Sequence, residues 1–119
     1  MNFYDRFGQP IAYSTDSGEI FLFNGLPVAY IFEDAIYSYQ GVQYGWILNN
    51  WIRDLNGYAV FFNELSFGFG PMKPMRRMLP MKAMKRMVPM KSMRRVKRAK
   101  PVLRMQWSPL SGLLFFEQR

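Results

Sequence analysis

Apolar residues in the first half of the chain fall into short runs divided by turn-forming residues about every eight positions, the spacing of a meander of short strands. Gly8, Gly25, Gly41 and Gly57 are 17, 16 and 16 residues apart, and three of them follow an amide side chain in Asn24-Gly25, Gln40-Gly41 and Asn56-Gly57. Asn-Gly between apolar runs predicts a hairpin with a type I′ turn, because both residues tolerate positive φ. Four hairpins are therefore expected, with these glycines as their turns. The flanks repeat too: Phe3, Ile20, Ile36 and Ile52 stand five residues before each glycine, and Tyr13, Tyr30, Trp46 and Phe62 five residues after. Thr15-Asp16-Ser17-Gly18, Glu33-Asp34 and Asn49-Asn50 separate the hairpins.

A lone hairpin cannot bury its apolar face in water, so four copies predict a unit repeated around an axis. Ala12, Ala29 and Gly45, four places after their glycines, would let backbones approach near that axis, with the neighbouring aromatic filling the centre or its floor. The fourth copy departs from this pattern, with Ala59 two places early. An open antiparallel sheet is the alternative. The run Gly112 to Phe116 reads as a final strand that could close the ring against the N-terminal hairpin.

The chain has 119 residues and fits a single β domain, with a body of residues 1–68 and 105–119 and an insert of 69–104. Charge divides along the same line. Leu65 to Phe116 holds 13 basic residues and no acid, and the other residues carry 3 basic against 8 acidic groups, a balance of −5. With no cysteine and no histidine, disulfides, thiolate or imidazole metal sites and the commonest nucleophile and base partners are excluded. Glu33 and Asp34 are adjacent acids that a turn explains better than catalysis. The expectation is a non-enzymatic protein without cofactor or small-molecule substrate. Neither a basic start followed by an apolar run nor an apolar stretch of bilayer length is present, which points to the cytoplasm, with peripheral membrane attachment open.

Phe7-Gly8-Gln9-Pro10-Ile11-Ala12-Tyr13, Asn24-Gly25-Leu26-Pro27-Val28-Ala29-Tyr30 and the closing Trp107-Ser108-Pro109-Leu110-Ser111-Gly112 resemble the four-fold beta flower family over about residues 1 to 65 and 105 to 119. The resemblance implies an all-β fold of four short hairpins radiating as petals from a shallow barrel-like centre. It implies no catalytic residues, and the long basic insert is a departure from the simple pattern.

That insert is itself repetitive. Methionine recurs at every third position from Met72 to Met93, within a nine-residue unit that begins Met72-Lys73-Pro74-Met75-Arg76-Arg77 and Met81-Lys82-Ala83-Met84-Lys85-Arg86. A three-residue period spirals around an α-helix, whereas in a polyproline-like strap it puts every methionine on one side. Pro80 and Pro89 also oppose a helix. Four readings of this strap stand. It can be a neutral low-complexity insertion. It can contact nucleic acid or another anionic polymer through Lys73, Arg76, Arg77, Lys82, Lys85, Arg86, Lys91, Arg94, Arg95, Lys97, Arg98 and Lys100. The same cations can hold an anionic lipid surface while Met75, Met78, Met81, Met84 and Met87 insert. Finally, Met-x-x-Met spacing can offer thioethers to Cu(I). Adaptable protein binding is a variant of these, as is folding back over the acids Asp5, Asp16, Glu19, Glu33, Asp34, Asp54 and Glu64. Self-association through exposed strand edges is a further expectation.

Overall fold

The computed structural model describes residues 1–110 and 112–119. Eight strands follow in chain order: β1 (Asn2–Tyr4), β2 (Pro10–Ser14), β3 (Glu19–Leu22), β4 (Pro27–Phe32), β5 (Ala35–Tyr37), β6 (Gln43–Leu48), β7 (Trp51–Asp54) and β8 (Ala59–Phe61). All neighbours pair antiparallel in one sheet of order β1 to β8. The sheet closes on itself where the amide of Tyr4 donates to the carbonyl of Phe62 at 2.8 Å and the amide of Phe62 returns a bond to Tyr4 at 2.9 Å. This bridge makes the sheet a nearly closed ring in place of the open sheet.

The turn type departs from the expectation. Each petal turn has the glycine amide bonded to the carbonyl three residues earlier, as in Gly8 to Asp5 at 2.9 Å and Gly41 to Ser38 at 3.0 Å. Only the glycines have positive φ, at 79°, 90°, 89° and 91°, and the register shifts beside every one. These are type I turns followed by a left-handed glycine in a bulge, one residue longer than type I′. Side chains favour that form: a carboxylate oxygen of Asp5 accepts the amides of Phe7 and Gln9, and Asp54 does the same for Asn56 and Tyr58. Two left-handed residues in succession occur instead at Asn49 and Asn50, with φ of 53° and 64°, between β6 and β7.

Strand alternation decides what fills the centre. Phe3, Ile20, Ile36 and Ile52 pair across their hairpins with Ala12, Ala29, Gly45 and Phe61, and all these positions point into the main core. Phe61 thus takes the place that a small residue holds in the other three petals. The adjacent aromatics Tyr13, Tyr30, Trp46 and Phe62 do not fill the centre, contrary to expectation. Successive side chains leave a strand on opposite faces, so these rings form separate clusters away from the main core.

The C-terminal segment is also a correction. Gly112–Glu117 forms a 3-10 helix, not a strand, and its Phe115 and Phe116 enter the core against Phe61 at ring distances of 5.8 and 5.7 Å. Tyr4 and Phe62 bridge the ends of the sheet, and the side that β8 leaves open at Ala59 is taken by a parallel bridge to Trp107, ahead of this segment in the chain. Gly45 makes room for it: a Cβ there would lie 3.1 Å from the ring of Phe115.

Residues 71–104 contain no helix and no strand, yet they are stitched to the body. The amides of Arg77, Arg86, Arg95 and Arg104 donate to the carbonyls of Gly8, Gly25, Gly41 and Gly57 at 2.8 to 3.1 Å. The donors are nine residues apart and the acceptors are the four petal turns. Ala83 and Ser92 add bonds to Phe23 and Tyr39, while Pro74 and Pro101, at the equivalent places, have no amide to give. Nine residues at about 3.1 Å each cover about 28 Å, and a disc 36 Å across has a perimeter of about 113 Å, four times that length. One belt unit therefore spans one petal.

The petal glycines serve this docking twice. Besides their positive φ, a Cβ on any of them would sit 2.0 to 2.1 Å from the belt carbonyl of Met75, Met84, Met93 or Val102. Gly25→Ala is expected to lower stability by at least about 1–3 kcal/mol, from the left-handed backbone alone, and to detach the belt at the second petal. Urea unfolding measures the first effect, and faster trypsin cleavage after Lys82, Lys85 and Arg86 the second.

Candidate functional site

The belt presents two chemically different sides, and its three-residue period explains both. Met72, Met75, Met78, Met81, Met84, Met87, Met90 and Met93 are 89–94% exposed, and Val96 continues the phase at 93%. The residues between them lie closer to the body: Leu79 and Val88 are 42% and 37% exposed. Met72, Met90 and Met93 lie outside the insertion set expected from the sequence, although they share its phase.

Most of the cations lean inward. Arg76 pairs with Glu64 at 3.4 Å and lies over Tyr4, and Lys91 pairs with Glu19 at 3.2 Å over Tyr30. Lys82 sits 4.3 Å from the ring centre of Tyr13, Arg94 3.6 Å from that of Phe32, and Arg104 5.4 Å from that of Tyr58. Lys97 contacts Glu33, Asp34 and the ring of Trp46, and Lys100 reaches Asp34 at 2.7 Å. Lys73 donates to the carbonyl of Ser66. The outward-turned aromatics are thus cradles for the belt's cations, each contact contributing about 0.5–1 kcal/mol. Among the described residues, Arg77, Lys85, Arg86, Arg95 and Arg98 make no ion pair with a carboxylate.

A buried arginine clasps the belt at both ends. Arg53, 1% exposed, stands in the fourth petal where Tyr4, Phe21 and Tyr37 stand in the others. It donates to the carbonyls of Gly57 and Arg104, each at 2.8 Å, and to that of Phe69, joining the start of the belt to its finish. Burial pulls its pKa down from the ordinary value. No motif in the sequence marks this residue. The one available signal is its charge in an otherwise aromatic series.

Successive methionines on such a strap stand about 9 Å apart along its backbone, so two thioethers would meet at one Cu(I) only by leaning toward each other. No group of three or more His, Cys, Asp or Glu side chains suited to a metal occurs among the described residues, and no helix there is long and apolar enough to cross a membrane.

Four bulged hairpins closed into a ring, plugged by two phenylalanines, define a small petalled β domain. A family model described as 4-fold beta flower protein matches residues 1–116, and the chain belongs to that family. The matched span runs across the belt. Comparison with curated proteins and with solved structures gives no match in either.

Asp34 contributes a pH dependence to the docking of the belt. Hydrogen bonds from Lys100 and then Lys97 hold its carboxyl down at about 2, below the ordinary 3.8. A depressed carboxylate stabilises the folded state above its unfolded pKa, and that contribution is lost as the pH falls through the folded value. The wild-type protein is expected to exceed Asp34→Asn in stability at pH 5 by on the order of 1 kcal/mol, since the lysines remain screened by solvent. Urea midpoints measured from pH 5 to pH 2 should show this difference shrinking below pH 4.

Proposed function

We propose that this protein is a non-enzymatic binding module that docks edge-on to anionic lipid surfaces through its belt. The observation that carries the reading is the row of fully outward methionines flanked by cations that the body's carboxylates leave unpaired. A flat bilayer meets only part of a disc's perimeter. The favoured arc runs from Met75 to Met87, where Met78, Met81 and Met84 project outward between Arg77 and the pair Lys85 and Arg86. Three cations close to an anionic surface contribute about 1 kcal/mol each, and flexible thioethers adapt to the acyl boundary.

Nucleic acid is the less favoured partner. Base recognition on a single strand uses open aromatic faces, and the belt's own cations lie over Tyr4, Tyr13, Tyr30, Trp46 and Tyr58.

Sedimentation with vesicles tests the proposal. The protein is expected to bind phosphatidylserine-containing vesicles, more weakly as salt rises, and phosphatidylcholine vesicles hardly at all. Replacing Met78, Met81, Met84 and Met87 by Ser should reduce binding about tenfold or more, as should replacing Lys85 and Arg86 by Ser. Binding to single-stranded RNA or duplex DNA without binding to vesicles would overturn it.

A further inference from the structure

Packing places no demand on the identity of the belt's outward residues. The outward phase holds eight methionines from Met72 to Met93, and the same phase continues with Val96, Ala99 and Val102. Nothing covers the eight side chains, so the fold requires no thioether at any of them. What methionine adds over valine or alanine at such a place is flexibility and sulfur chemistry.

The distribution of sulfur across the chain sharpens this point. There is no cysteine, and the core is built from Phe, Tyr, Trp, Ile, Val and Ala. Of the ten methionines, the two outside the row, Met1 and Met105, are 47% and 53% exposed. Oxidation of methionine ordinarily threatens a protein by placing a polar sulfoxide inside a packed core. Here no buried position carries sulfur, and the belt is held by backbone amides and by lysine and arginine side chains, none of which involves a thioether.

We infer that the outward methionines form a reversible oxidation site that switches the belt's edge from apolar to polar while leaving the fold intact. The oxidant is a hydroperoxide. A sulfur lone pair attacks the peroxide oxygen, the S–O bond forms as the O–O bond breaks, the thioether loses two electrons, and the peroxide leaves as water or an alcohol. A sulfoxide reductase restores the thioether with two electrons and two protons from a dithiol, which becomes a disulfide as the oxygen leaves as water. The effect on docking rests on the lipid-binding reading above: an edge bearing up to eight sulfoxides no longer inserts into the acyl boundary.

The test treats the folded protein with hydrogen peroxide and compares it with a variant in which all eight methionines are replaced by leucine, which keeps the apolar edge and removes its sulfur. The readouts are oxygen additions by mass spectrometry, the thermal unfolding midpoint, retention on a hydrophobic-interaction column, and binding to phosphatidylserine-containing vesicles. In the wild type, the eight belt methionines should oxidise with little change in midpoint, while retention falls and vesicle binding drops about tenfold or more. The leucine variant should keep both retention and binding after the same treatment, and reductase should return the wild type to its starting values. A collapsed midpoint, unchanged retention after eight additions, or equal losses in the leucine variant would overturn the inference. If the untreated protein fails to bind vesicles, the lipid reading falls alone, and retention and midpoint still decide whether oxidation switches the edge.

Discussion

The bond from a belt amide to the carbonyl of a petal glycine is the interaction on which the rest of the belt depends. It recurs at Arg77, Arg86, Arg95 and Arg104 against Gly8, Gly25, Gly41 and Gly57. Each bond contributes only about 1 kcal/mol, but their common spacing fixes the rotational phase of everything between them. With that phase set, a three-residue period can do only one thing: every methionine turns out and the two residues between turn toward the body. Four anchors also tie all four petals to one continuous segment.

Electrostatics reinforces the same phase. The body alone carries a balance of −5, and the acids that lie under the belt, Glu19, Glu33, Asp34 and Glu64, each meet a belt cation. Tyr13, Tyr30 and Trp46, expelled from the centre by strand alternation, supply ring faces for Lys82, Lys91 and Lys97. Inward cations and outward thioethers reverse the usual arrangement of a surface strap. The cause is that these cradles are polar and aromatic, so a lysine stem and head fit them better than a thioether does.

Much of the fold could be read from the glycine spacing, because a left-handed bulge residue and a close backbone approach both demand glycine and so leave a visible mark every sixteen residues. Asn24-Gly25 and Asn56-Gly57 point to the wrong turn type, because bulge and type I′ turns favour the same dipeptide. Asp54, which accepts two turn amides, distinguishes the bulged form in the fourth petal as Asp5 does in the first, whereas Leu22 gives no such mark in the second. The C-terminal run Leu113-Leu114-Phe115-Phe116 gave no periodicity from which to choose strand or helix, and in the nearly closed ring it serves as the plug. Of the candidate site, the shared side of the methionines followed from their period. Their direction did not, since it depends on the body beneath. A further signal lay in Ala99 to Trp107, a worn fourth unit that keeps Lys100 and Arg104 in phase. Four belt units set against four petals imply the docking.

The functional reading inherits this geometry, since an apolar edge bordered by cations exists only while the belt is held in register. Amide hydrogen exchange across residues 71–104 tests the register most directly. The amides of Arg77, Ala83, Arg86, Ser92, Arg95 and Arg104 should exchange slowly in a pattern repeating every nine residues, with the intervening methionine amides exchanging fast. Uniformly fast exchange along the whole segment would contradict the account, because it would mean that the belt is not docked on the petals at all.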